Sequence, residues 1–83
     1  MAQLSDERLL ELKVEIPKRI GERIKYLREL NCLTQSQLGA LAGKDRQYIY
    51  KIEKGVVTPN IVTIAVLADA MEISLTNIFN IEL

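Results

Sequence analysis

The run Leu33-Thr34-Gln35-Ser36-Gln37-Leu38-Gly39-Ala40-Leu41-Ala42-Gly43 continues without a break into Lys44-Asp45-Arg46-Gln47-Tyr48-Ile49-Tyr50-Lys51-Ile52-Glu53-Lys54-Gly55. Reading these 23 positions (33–55) decides the fold. Thr34 with Gln37 three residues on is a capping box, each side chain satisfying a free backbone amide near the other. It opens a short helix that turns Leu38, Leu41 and Ala42 inward, and Gly43 supplies the left-handed residue that ends it. Asp45 caps the next helix, Arg46 to Lys54, with Ile49 and Ile52 on its inner face and Gly55 just past its end. Two short helices meeting at a glycine, the second capped, have the spacing of a helix-turn-helix.

Outward from this pair the chain stays helical. Upstream, Ile20, Ile24 and Leu27 fall on one face of a first helix spanning roughly 17–31, and Pro17 is tolerated in its first turn. Downstream, Val56 to Pro59 is a loop. Asn60 caps a helix carrying Ile64, Leu67, Ala68 and Met71, and Ser74 caps a last one holding Leu75, Ile78 and Phe79. The expectation is an all-α, five-helix bundle over residues 17–83. Residues 1–16 form a short N-terminal extension with two open readings. Ser5 caps a helix to about Lys13 with Leu9 and Leu12 on one side, or Leu12, Val14 and Ile16 alternate with Lys13 and Glu15 as in a strand.

Composition bounds the function. Eighty-three residues, 48% hydrophobic and 27% charged, make one globular domain without room for an elaborated substrate cleft. With no histidine and only Cys32, the chain has no intrachain disulfide, no zinc-finger ligand set and no Cys–His or Ser–His nucleophile pair, so neither metal, cofactor nor catalysis is expected. The N-terminus lacks the basic and apolar regions of a secretory signal. The longest apolar run, Ile61 to Ala68, contains Thr63 and stops at Asp69, so no membrane partner is expected and the cytoplasm is the expected location.

The net charge is zero, but it is unevenly spread. Residues 1–16 carry Asp6, Glu7, Glu11 and Glu15 against Arg8 and Lys13, giving −2. Residues 17–54 carry Lys18, Arg19, Arg23, Lys25, Arg28, Lys44, Arg46, Lys51 and Lys54 against Glu22, Glu29, Asp45 and Glu53, giving +5. Residues 55–83 carry only Asp69, Glu72 and Glu82, giving −3. A basic middle between acidic ends is a directional field, and such fields govern association.

The stretch Ile20-Gly21-Glu22-Arg23-Ile24-Lys25-Tyr26-Leu27-Arg28, then Leu33-Thr34-Gln35-Ser36-Gln37-Leu38, Ala42-Gly43, Tyr48-Ile49, Ile52-Glu53-Lys54-Gly55, Pro59-Asn60, Thr63 and Ile73-Ser74-Leu75, resembles the phage-repressor/Cro-type (XRE-like) helix-turn-helix domains. The resemblance covers about residues 18–79. It implies a sequence-specific DNA-binding transcriptional regulator, with a repressor as the expected sense, a nucleoid-associated place of action, and a homodimer on a pseudo-palindromic DNA operator. From another class, it also admits an antitoxin or other protein-interaction module with a toxin partner and secondary DNA binding.

Residue by residue, the two lines of reading meet on the third helix. With Ile49 and Ile52 inward, Arg46, Gln47, Tyr50, Lys51 and Lys54 line its exposed face. A B-DNA major groove, about 12 Å wide, admits such a helix end-on by its first turn. Arg46 suits the O6/N7 edge of guanine and Gln47 the N6/N7 edge of adenine. The resemblance implies base reading by Arg46, Gln47 and Lys51, while Tyr50 suits a thymine methyl or a phosphate, or is a plain surface aromatic. It also implies that Gln35, at the positive start of a helix, grips phosphate. Tyr48 matches a position that reaches phosphate, though its ring would pack equally well on the second helix; Lys44 and Lys54 qualify by charge. The family's inward ion pair between the first and third helices is matched by Arg28 and Glu53, a structural role.

Three residues depart from the family pattern. Lys44 stands where a small apolar residue is common, Gly39 where alanine is frequent, and Glu72 where a glycine usually ends the fourth helix, so a different C-cap is expected there. Cys32 reads as a small half-buried residue ahead of Leu33.

Overall fold

The computed structural model describes residues 3–83 as five helices: α1 Asp6–Leu30, α2 Gln35–Ala42, α3 Arg46–Glu53, α4 Ile61–Ala70 and α5 Leu75–Ile78. No strand occurs among the described residues. Each helix opens on a side-chain oxygen accepting an amide three residues ahead: Ser5 from Arg8 at 3.0 Å, Thr34 from Gln37 at 3.0 Å, Asp45 from Tyr48 at 2.8 Å, Asn60 from Thr63 at 2.8 Å and Ser74 from Asn77 at 3.3 Å. The Thr34 box is closed in both directions, the Gln37 carboxamide oxygen accepting the Thr34 amide at 2.8 Å. Each such cap stabilises its helix by about 1 kcal/mol.

The first helix differs from the sequence expectation. It starts at Asp6, not near Pro17, and is 25 residues long, so of the two readings of residues 1–16 the helical one holds from Asp6 onward. Pro17 therefore sits in the helix interior, where it removes one backbone hydrogen bond. Two features offset that loss: Pro17 is buried against the bundle, and the Glu15 carboxylate meets Arg19 across it at 3.5 Å. Only the second half of α1 belongs to the core. Of its first ten residues, Asp6–Glu15, none is fully buried and only Leu12 and Glu15 are half-buried, and the molecule is drawn out to 44 × 24 × 20 Å.

Helix ends follow one pattern. After α1, α2, α3 and α4 the chain turns through a left-handed residue, and the next amide reaches back five positions: Leu33 to Arg28, Lys44 to Gly39, Val56 to Lys51 and Ile73 to Ala68, at 2.8–3.1 Å. Gly43 and Gly55 take this conformation freely, at φ +69° and +73°. Cys32 and Glu72 take it at φ +57° with a β-carbon in place. Glu72 thus does not change the cap after α4, contrary to expectation; it adopts the same motif at a steric cost. Cys32 is likewise exposed at such a corner and not half-buried.

The core gathers Ile20, Ile24 and Leu27 of α1, Leu38 of α2, Ile49 and Ile52 of α3, Ile64, Leu67 and Ala68 of α4, then Met71 and Ile78. Three residues read as inward lie outside it: Leu41 is 60% exposed, Phe79 43% and Leu75 37%. In α2 the buried edge runs through Leu38 and Gly39, because α3 crosses at the glycine. Leu41 falls some 60° to the other side of Leu38, while Ala42 stays half-buried. The single-turn α5 has one inward position, and Ile78 fills it completely.

Candidate nucleic-acid interface

The two helices of the motif are held by close backbone approach. A β-carbon on Gly39 would lie 2.7 Å from the Lys44 carbonyl oxygen, so the departure from alanine is what lets α3 begin so near α2. A second glycine does the same for α1 on α3: a β-carbon on Gly21 would run into the Ile52 and Glu53 carbonyl oxygens. Gly21 does not stand out from the sequence in this role, yet a glycine inside a helical pattern, disfavoured by about 1 kcal/mol, is the signal for it.

Across the same junction, Arg28 and Glu53 form a fork. The guanidinium Nε donates to Oε2 at 2.6 Å and Nη2 to Oε1 at 3.0 Å, with the two side chains only 9% and 2% exposed. Nη1 donates to the Leu33 carbonyl at 2.7 Å, so one arginine ties α1, the turn before α2 and the end of α3. The hydrogen bonds it donates to Glu53 hold the guanidinium protonated beyond the ordinary arginine range, outweighing the opposing pull of burial. Gln35 joins this cluster. Its carboxamide nitrogen donates to Glu53 Oε1 at 3.0 Å and its side chain is half-buried.

With α3 fixed at both ends, its outer side is set. Ile49 and Ile52 are 0% and 1% exposed, which leaves Arg46, Gln47, Tyr50 and Lys51 on the open face, and Lys54 one turn further on. Lys44 lies just ahead of the helix with its ammonium 5.1 Å from the centre of the Tyr48 ring, and Lys54 lies 5.8 Å from that of Tyr50. Each ring steadies a lysine by cation–π attraction, and Tyr48, half-buried, also packs on the core. The structure thus brings Lys44, Arg46, Gln47, Tyr50, Lys51 and Lys54 to one exposed surface. Gln35 is set apart: its side-chain donor is engaged by Glu53, and what it presents outward is the start of α2, where first-turn amides lack helical partners.

One tie was not anticipated from sequence. Arg23 donates through Nε to the Asn77 carbonyl at 3.0 Å and through Nη2 to its side-chain oxygen at 2.7 Å, pinning α5 to α1. Among the described residues, no group of acidic, cysteine or histidine side chains is placed to hold a metal ion, and no helix is long and apolar enough to cross a membrane.

Known proteins carry the same arrangement. The helix-turn-helix family HTH_3 matches residues 24–78, from the core half of α1 to the end of α5. The uncharacterized HTH-type transcriptional regulator y4dJ of Sinorhizobium fredii is 31% identical over 61 residues, 74% of this chain and 79% of that protein. Among solved structures, the restriction-modification controller protein C.AhdI of Aeromonas hydrophila is similar at TM-score 0.76 and 32% identity, over 78% of this chain and 98% of that one. An HTH_3 family transcriptional regulator from Vibrio cholerae gives TM-score 0.77 at 27% identity, over 81% of this chain but 38% of its own. The chain belongs to the HTH_3 helix-turn-helix family of DNA-binding transcription regulators.

Proposed function

We propose that the chain is a sequence-specific repressor that binds a pseudo-palindromic operator as a homodimer and reads it with α3. The observation that carries this reading is the exposed first turn of α3. Arg46 and Gln47 stand open immediately after the Asp45 cap, on a helix whose opposite side is wholly buried. A helix presented in this way fits the major groove by its N-terminal end, with Arg46 matched to guanine, Gln47 to adenine, and Tyr50 and Lys51 following along the groove. Lys44, Tyr48 and Lys54 then flank the reader as phosphate contacts. Gln35 serves the phosphate through the start of α2, its side chain being held by Glu53.

In this reading residues 17–83 are the DNA-binding unit, residues 1–16 are an extension to it, and the protein works in the cytoplasm by binding alone, without catalysis. The likeness to C.AhdI, a restriction-modification controller, supports a role in controlling transcription. Selection of bound duplexes from a random pool tests the reading, because it returns sequence, symmetry and half-site spacing together. The expected result is an inverted repeat with centres ~10 bp, or a multiple, apart. Failure to retain any duplex at about 50 mM salt, with the protein folded, refutes it.

A further inference from the structure

The outer half of α1 is a formed helix that its own chain covers only along one edge, at half-buried Leu12 and Glu15. Ser5 caps it, and the Arg8 guanidinium pairs with Glu11 at 3.2 Å, yet full burial in α1 begins only at Pro17. At ~1.5 Å per residue, Asp6–Glu15 extends about 15 Å, and a free helix of that length is marginal in water. All of it lies ahead of the residues that match the family. Leu10 and Val14, one turn apart on one face, are 63% and 57% exposed. Three turns apart along the edge of that same face lie Glu7 and Lys18, neither of which pairs with another described residue, while the neighbouring Glu11 and Glu15 are taken by Arg8 and Arg19. The excess of acid over base in residues 1–16 disfavours DNA phosphate as the occupant.

We infer that this half-helix is the contact between two copies of the chain, packed antiparallel about a two-fold axis passing between Leu12 and Lys13. Leu10 and Val14 of each copy interleave across the axis, and Glu7 of each faces Lys18 of the other. Charge selects the direction: a parallel pair sets Glu7 against Glu7 and Lys18 against Lys18, whereas the antiparallel pair matches both. Exposed Val56 follows Gly55, whose backbone rests on Lys18, and so prolongs the apolar strip where the second copy's first turn ends. Gly21, where α1 crosses α3, lies about 13 Å along the helix from this axis. The two crossings are then about 26 Å apart, on the scale of one turn of B-DNA, ~34 Å. The inference rests on the homodimer proposed above and names its interface.

Sedimentation equilibrium of the full chain, from about 5 µM to 0.5 mM, tests it. The unaltered chain is expected to reach twice its monomer mass. Glu7→Lys and Lys18→Glu each set like charges at both ends of the interface, and each should weaken association about tenfold. An equimolar mixture of the two variants should recover the original affinity, because one chain then carries lysine at both places and the other glutamate. Helicity at 222 nm checks that each variant folds, and the mixture gives an answer whatever the singles lose in stability. A chain that remains monomeric at 0.5 mM, free and on operator, overturns both this interface and the homodimer. Association unchanged in both variants, or a mixture no better than either alone, overturns this interface and leaves the homodimer to the exposed Leu75 and Phe79 end. Operator binding is scored separately, so its loss with the dimer intact counts against the DNA reading only.

Discussion

Glu53→Ala is expected to lower the melting temperature by about 12–40 °C. The substitution strips the acceptors from Nε and Nη2 of Arg28, a residue only 8% exposed, and from the carboxamide of Gln35. Breaking a buried ion pair from one side costs about 3–5 kcal/mol, because the remaining charge is left without compensation in a poorly solvated place. A domain of 83 residues is stable by about 4–12 kcal/mol, so this is a large share of the whole. In a chain this size each kcal/mol moves the melting point by about 4–8 °C. The control removes both charges: Arg28→Met with Glu53→Leu should recover most of the loss, to within about 1–2 kcal/mol of the parent. Arg28 binds its proton more tightly folded than unfolded, so the pair's contribution is full below the ordinary arginine range and fades only above it. The penalty should therefore be the same at about pH 7 and pH 10. Thermal melts followed by circular dichroism at 222 nm, with urea midpoints as a second measure, decide the matter. A single variant melting within about 5 °C of the parent, or a double variant as poor as the single, refutes the buried-charge reasoning.

The remaining predictions use other features of the same junctions. Gly21→Ala gains about 1 kcal/mol in helix propensity but drives a β-carbon into the α3 backbone, so a net loss of about 2–3 kcal/mol is expected in urea unfolding; a neutral or stabilised variant contradicts the close approach. Glu72→Gly relieves a left-handed corner and should raise the melting point by about 4 °C, whereas a decrease means that the glutamate side chain contributes more than the strain costs. Gln47→Ala should relax preference at one base pair per half-site in selected duplexes. Gln35→Ala keeps the backbone amides at the start of α2, so binding to operator and random DNA should change little and alike, while the lost hydrogen bond to Glu53 should lower its melting point by a few degrees. An unchanged base preference in the Gln47 variant removes α3 as the reader. Raising salt from 50 to 200 mM should weaken operator binding by ~10³–10⁵ if roughly 6–10 phosphates are contacted per dimer, and a flat response in a titration contradicts that count.

What the sequence determined by itself is what acts over three or four residues. The starts at Thr34, Asp45, Asn60 and Ser74 were readable because the capping oxygen and the amide it accepts are three positions apart, and the partners are therefore written side by side. The inward Ile49 and Ile52 followed from helical period, and with them the outward face of Arg46, Gln47, Tyr50 and Lys51. Tertiary structure decided the rest. Pro17 reads locally as the start of a helix, but α1 passes through it because the bundle buries the proline and the Ser5 cap begins the helix earlier. Leu41, Leu75 and Phe79 have helical spacing yet stay out, since a short helix has room for one buried edge and the neighbouring helix chooses which. The engagement of Gln35 by Glu53 joins residues 18 positions apart, and that of Arg23 by Asn77 joins residues 54 apart. Such contacts depend on where whole helices come to rest, and that is settled by close backbone approach at Gly21 and Gly39 and by the buried fork of Arg28 and Glu53, not by the order of residues along any one helix.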